Sequence, residues 1–402
     1  MEIADTNILY DAMRASMKGS AWKREPQKYY HDWLLELREV KQELNEQSYH
    51  TSASTEFTIN ERGKIRHIYG NRMRDRTVRH ALCDNVLGPC LDRYLITNNC
   101  ASQKGKGISA QRKNFERDLH NFFLAHGNND GVIGFVDLSK FYDNIRHDEV
   151  KCDVYPKIPY DTHWLMNEIL SSMEVDVSYM TEEEFARCME EKFDSARYYT
   201  EIPAEAKTGE KMMRKSVNIG DQVSQNIGVF IPTRIDNYCK IVRGLRFYGR
   251  YMDDIYFITE TREEAKDIID GIRRIAAEHG LFINEKKTQI VKLSGNYIFL
   301  QNKYTLSDTG KVIVRVNPKT VTRERRKLKA YRRLLDRGVM PYPDIENAFC
   351  SWMGNYAKKL SKRQRKNIIQ LYKNLFDGRI PQWKKQGTKS HSRTAASSSP
   401  CV

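Results

Sequence analysis

The sequence predicts an α+β fold built on a ferredoxin-like sheet that carries an insertion, and three observations support this. Val132-Ile133-Gly134-Phe135-Val136-Asp137 is apolar, β-branched and then abruptly acidic, as in a buried central strand whose last residue emerges at the sheet edge. The runs Leu245–Tyr248 and Ile255–Ile258 flank Tyr251-Met252-Asp253-Asp254, so two strands meet at a tight acidic turn. The remaining periodicities complete the order strand, helix, helix, strand pair, helix, strand, which is the ferredoxin-like one.

Composition narrows the function. The 402 residues carry a formal net charge of +15, which points to a polyanionic partner, most simply nucleic acid. No apolar run approaches the roughly 18 residues of a membrane span, and the N-terminus reads as no signal peptide. The expectation is a cytoplasmic protein without a membrane partner. Eight scattered cysteines lack zinc spacing and read as core filler in a reducing compartment.

Taken in order, Trp33, Leu34, Leu37, Val40 and Leu44 recur at helical spacing within a helical region 1–50. Phe57–Ile59 and Lys64–Ile68 form a strand pair around a polar turn, with Arg62, Lys64 and Arg66 at alternate positions on one face, suited to clamping a triphosphate. A helix through Val78, Leu82 and Val86 should end before Gly88 and Pro89. A further helix spans Arg112–Ala125 and leads into the Asp137 strand. Tyr142, five residues past that carboxylate, can stand at the wall of a site. The stretch 151–215 reads as an insertion of mixed helices.

From Asn218-Ile219-Gly220-Asp221-Gln222 to Gln225 a glycine-led helix opens that carries Ile227, Val229, Phe230 and Ile235. Arg262–His279 is amphipathic, with Ala265, Ile268, Ile269, Ile272 and Ile275 inward. Leu281–Ile283 pairs with Thr288–Val291, and Tyr297–Leu300 with Lys303–Leu306, as strands. Beyond Pro318, Arg323, Arg325, Arg326, Lys327, Lys329, Arg332, Arg333 and Arg337 crowd a helix whose inner face is Leu328, Tyr331 and Leu335, a density suited to a phosphate backbone. Ala348–Tyr356 and Arg363–Phe376 add two more helices before a polar tail.

Adjacent carboxylates at a hairpin tip repel one another and gain nothing from packing, so a cation is their natural partner. With Asp137 they suit two Mg2+ ions, Mn2+ being the alternative, in phosphoryl transfer.

Together, Asp137, the Gly220–Gln225 stretch and Tyr251–Asp254 resemble the core blocks of a reverse transcriptase over about 55–335, and are similar to the bacterial non-intron branch with its diversity-generating retroelement and defence-associated enzymes. The resemblance implies a right-hand polymerase: an N-terminal extension (1–50), fingers (51–130), a palm in two parts (131–150 and 216–317) around the insertion (151–215), a basic helical thumb (318–386) and a flexible tail (387–402). It implies Asp137, Asp253 and Asp254 as catalytic metal ligands with the Leu138 carbonyl. Arg62, Lys64 and Arg66 would hold the triphosphate, and Tyr142 would exclude a 2′-hydroxyl. Ile219, Gly220 and Gln225 would border the incoming nucleotide. Tyr251, Met252, Arg323, Arg326, Lys327 and Arg333 would meet nucleic acid, and Tyr297–Leu300 the primer. Intron-encoded relatives carry Gln where Ile219 stands, so base checking should be loose. Met252 departs from the Ala typical of retrons.

The implied partners are an RNA template, its DNA product and dNTPs, with a protein partner or homo-oligomer as further alternatives. Four functional readings follow: cDNA synthesis from a noncoding RNA in antiviral defence, a diversity-generating retroelement enzyme, template-independent or protein-primed synthesis, and a noncatalytic RNA-binding scaffold. The last predicts decay of the triad, yet all three carboxylates are present.

Overall fold

The structure, a computed structural model, describes residues 2–61, 63–195 and 201–381. Helices α1 (Thr6–Met17), α2 (Arg24–His31) and α3 (Trp33–Glu46) open the chain, α1 starting where the Asp5 carboxylate accepts the Asn7 and Ile8 amides. α3 buries Leu37, Val40 and Leu44, but Leu34 is exposed, so the inward stripe begins one turn later than its spacing suggests. The hairpin of β1 (Thr55–Glu61) and β2 (Lys64–Gly70) follows.

Next, α4 (Met73–Leu82) corrects an expectation, because the chain does not leave the helix before Gly88 and Pro89. It passes through one wide turn at Cys83–Leu87, with i to i+5 bonding, into α5 (Gly88–Leu91). Pro89 falls in the first turn of the restarted helix, where its missing amide costs nothing.

Helix α6 (Ile108–His126) then leads to β3 (Val132–Asp137), buried throughout. α7 (His147–Val154) runs into the stretch 151–215, which holds α8 (His163–Ser171), β4 (Val175–Asp176), α9 (Glu182–Glu190) and β5 (Met212–Met213), so a short strand pair joins the expected helices. Val175, Val177, Met180, Phe193 and Met213 give this stretch a small core of its own. At the end of α9 the buried Lys215 ammonium donates to the Cys188, Met189 and Glu191 carbonyls at 3.0, 3.2 and 2.6 Å.

α10 (Gln222–Phe230) stops short of Ile235, which lies on α11 (Thr233–Asn237), because Pro232 cannot continue the amide ladder. β6 (Tyr248–Tyr251), β7 (Asp254–Thr259), α12 (Arg262–Glu278) and β8 (Gln289–Lys292) complete the central sheet in the order β6-β7-β3-β8, antiparallel throughout. That is the ferredoxin-like arrangement, with α12 burying Ala265, Ile268, Ile269, Ile272 and Ala276 on the sheet. Leu281–Ile283, expected as a strand, makes only a single bridge from Ile283 to Leu138. The ends of this short segment are taken by β3, since Ser139 N–H donates to the Phe282 carbonyl and Asn284 N–H to that of Asp137.

The chain divides into two compact units: residues up to Gly295 with Asp308–Lys311, and Asn296–Ser307 with the described residues from Val312 on. The second holds β9 (Tyr297–Phe299), β10 (Asn302–Leu306), the unexpected β11 (Val312–Val316), α13 (Pro318–Asp336), α14 (Tyr342–Tyr356) and α15 (Lys362–Leu375). Leu328, Ile345, Phe349, Met353, Ile368 and Tyr372 form its core. Among the described residues no helix is long and apolar enough to cross a membrane.

Candidate active site

Sheet register brings the acidic residues together. Asp137 at the end of β3 lies directly opposite Asp254 on β7, and the Leu138 N–H donates to the Asp253 carbonyl at 3.2 Å. Asp253 occupies the two-residue turn after Met252, whose φ of 56° lies in the left-handed region that non-glycine residues enter at a cost. Burial, and next the negative charge of Asp137, push the Asp253 carboxyl above the usual carboxylate range. Asp137 is itself buried and engaged: the Lys287 ammonium rests on Oδ1, and Asn284 Nδ2 donates to Oδ2 at 3.1 Å. Lys287 was not foreseen. Its only sequence signal is the Lys286-Lys287 pair in the turn before β8.

These carboxylates open into a cleft of about 400 Å³ that is walled also by Arg66, Leu138, Tyr142 and Ile219. Arg66 reaches it from β2, its Nε 2.9 Å from a Glu61 oxygen. Arg62 lies outside the described residues, as does the side chain of Lys64, whose backbone pairs with Glu61. Tyr142 begins a tight turn, and its ring lies against Gly228 of α10, where an added Cβ would stand 3.2 Å from the ring. Its hydroxyl lies 3.9 Å from Met252 Sδ, and burial, then the Asp253 charge, push its pKa up.

Ile219 lines the cleft, and with Gly220 it also holds the β1–β2 hairpin. The Tyr69 N–H donates to the Ile219 carbonyl at 3.1 Å, and Gly220, with φ of 109°, takes the Tyr69 carbonyl 3.0 Å from where a Cβ would be. The group that packs closely on Gly220 is thus the chain's own Tyr69 backbone, and Gly220 is not on the cleft wall. Gln225 is exposed and accepts from Ser102 Oγ at 3.4 Å. Neither Gln225 nor Asp254 belongs to the cleft wall.

A second support escaped sequence reasoning. Arg250, fully buried on β6, pairs with Asp236 of α11 at 2.6 Å and donates to the Val229 carbonyl at 2.9 Å and the Met252 carbonyl at 3.1 Å. Tyr248 Oη donates to the same Asp236 at 2.6 Å. The acidic turn is thus held from behind by a charged network with its groups satisfied. The half-buried Tyr251 pairs with Asp254 across the hairpin.

In the second unit, α13 buries Thr320, Glu324 and Leu328 and leaves Arg326, Lys327 and Arg333 exposed. Arg323 is half-buried and donates to Thr320 Oγ1 at 3.2 Å, while Arg332 is paired with Asp336 and Asp377. In the expected primer hairpin, Tyr297 is buried and Ile298 exposed.

The Asp137 and Asp253 pair fits hard divalent cations: burial and the Asp137 charge raise the cost of ionising Asp253, and an ammonium already lies on Asp137. Among the described residues, the set of three His or acidic ligand atoms mutually within 4.8 Å is a different one, Glu149, Asp153 and His279. Its charges are already met, with His279 Nδ1 2.8 Å from Glu149 and Arg234 2.5 Å from Asp153.

The family model for reverse transcriptase (RNA-dependent DNA polymerase) matches residues 59–302. No curated protein matches. Among solved structures, a telomerase from Candida albicans in complex with the TWJ fragment of telomeric RNA aligns at 10% identity and a TM-score of 0.42, over 83% of this chain and 60% of that one. This chain thus spans about 60% of the length of that telomerase chain. The family match covers more than half of the sequence and takes in Arg66, Asp137, Tyr142, Ile219 and Asp253, every one of them on the cleft wall. The right-hand polymerase fold follows, and the chain belongs to the reverse transcriptase family of RNA-dependent DNA polymerases.

Proposed function

We propose that the chain is an RNA-directed DNA polymerase that copies a noncoding RNA into cDNA, as a stand-alone enzyme of antiviral defence. The observation that carries the polymerase reading is the meeting of Asp137 and Asp253 in one cleft with Arg66 and Tyr142. Bound at Asp137 and Asp253, with Asp254 and the Leu138 carbonyl as further donors, two Mg2+ ions would supply charge neutralisation at the primer 3′-hydroxyl and the leaving pyrophosphate.

Around them the chain's own residues bind and orient. Arg66 supplies a guanidinium for the triphosphate. The Tyr142 ring, packed against Gly228, is placed to stand as a wall against a ribose 2′-hydroxyl. Ile219 offers the base an apolar edge without a hydrogen bond, which supports loose base checking. The exposed Arg326, Lys327 and Arg333 suit backbone contacts to an RNA template and its DNA product, largely independent of sequence. The insertion supports a stand-alone enzyme, and its defence role rests on the sequence resemblance.

Primer extension on an RNA template with dNTPs and Mg2+ tests the activity. Asp253→Ala with Asp254→Ala should abolish incorporation and leave RNA affinity nearly intact; synthesis by that double variant contradicts the assignment. Sequencing the nucleic acid that co-purifies with the protein tests the template, where a cDNA matching one bound RNA is expected. A homopolymer, or DNA attached to protein, would replace templated copying.

A further inference from the structure

Lys140 lines the cleft three residues beyond Asp137. Its φ is 47°, in the left-handed region where glycine sits freely and a long side chain is strained. A lysine in that conformation, at the wall of a phosphate-handling cleft, calls for a use of its charge.

The ammonium is held by the insertion, with Asp194 Oδ1 2.6 Å from Nζ. The insertion is fastened on either side of Asp194 by other bonds. Asn144 donates to the Phe193 carbonyl at 3.1 Å and accepts its N–H at 2.8 Å, and Ser195 Oγ donates to Asp143 at 2.7 Å. Phe193, Asp143, Asn144 and Ser195 are all buried, whereas Lys140 and Asp194 are 40% and 36% exposed. An ion pair so exposed adds little to stability. The buried bonds hold the segment, which leaves the ion pair free to exchange. A triphosphate carries several charges to the one of Asp194, and it competes for the ammonium on favourable terms.

We infer that Lys140 binds the triphosphate of the incoming nucleotide from the strand-end side of the cleft, as Arg66 does from the hairpin, and that Asp194 holds the ammonium until phosphate replaces it. This rests on the reading of the cleft as the nucleotide site. It gives the insertion a part in setting nucleotide affinity.

Steady-state primer extension separates the possibilities. Asp194→Asn should lower the KM for dNTP about two- to fivefold, the worth of an exposed ion pair. Lys140→Met should raise it about tenfold or more with a smaller change in kcat, and Lys140→Arg should recover most of the loss. In the Lys140→Met background, Asp194→Asn should have no further effect. Lys140→Gly relieves the backbone strain, so its Tm should hold or rise while its KM rises, which separates folding from binding. An unchanged or raised KM in Asp194→Asn, or an equal effect of Asp194→Asn without Lys140, overturns the inference while wild-type activity leaves the polymerase reading standing. Wild-type protein with no Asp253-dependent incorporation overturns both.

Discussion

Asp253 is destabilised by its surroundings: burial and the neighbouring Asp137 raise its pKa, so the folded protein binds its proton more tightly than the unfolded chain does. The sign follows. Its contribution to stability is most favourable below the unfolded value and is lost as pH rises through the raised, folded value. Asp253→Asn removes that cost, and in metal-free buffer near neutral pH its Tm should exceed that of wild type although incorporation is lost. A lower Tm in thermal melts would contradict this. Tyr142 is the other residue to test. Tyr142→Ala should raise ribonucleotide incorporation relative to deoxynucleotide by about 10- to 100-fold, the worth of a steric filter of a few kcal/mol. Tyr142→Phe should not, although it gives up the contact of the hydroxyl with Met252. Competition assays with paired dNTP and rNTP read the ratio. On the proposed reading of Ile219 as an apolar edge to the base, Ile219→Gln should lower misincorporation relative to wild type in the same assays.

Elements are joined at the site by groups that no local pattern announces. β6 is tied to α11 through Arg250 and Asp236, both essentially without exposure. Arg250→Met leaves a buried carboxylate unpaired and should cost about 3–5 kcal/mol in urea unfolding. Gly220→Ala forces a side chain into a left-handed backbone beside the Tyr69 carbonyl and should cost about 1–3 kcal/mol. Strands and helices were legible where burial is written in the local pattern: β3, buried on both faces, as a continuous apolar run, and α12, buried on one, as a stripe of Ala265, Ile268, Ile269 and Ile272. Legibility failed where backbone partners decide. Leu281–Ile283 has strand composition, yet the end of β3 leaves it a single bridge. At Gly88-Pro89 a wide turn absorbed what composition reads as a stop.

Across the whole molecule, positive charge is the property that composition reports most directly. The net +15 is partly concentrated on α13, whose exposed Arg326, Lys327 and Arg333 form part of the second unit with its own core. Replacing all three by Ala should weaken RNA binding for every sequence alike and reduce the slope of log K against log salt by about 1 for each phosphate that the helix no longer neutralises. Filter binding over a salt series gives the slope; an unchanged one would remove α13 from the interface.

By itself the sequence determined the ferredoxin-like order of elements and the position of each acidic residue at a strand end or turn, because alternation, burial and turn chemistry are written locally. It also marked the basic helix and the tyrosine beside the carboxylates. Only the tertiary structure decided which charges meet: Lys287 on Asp137 across 150 positions, Arg250 behind the acidic turn, and Asp194 of the insertion on Lys140. The physical reason is that an ion pair depends on two side chains being brought within a few ångströms by packing, and residues distant along the chain carry no periodicity that records it.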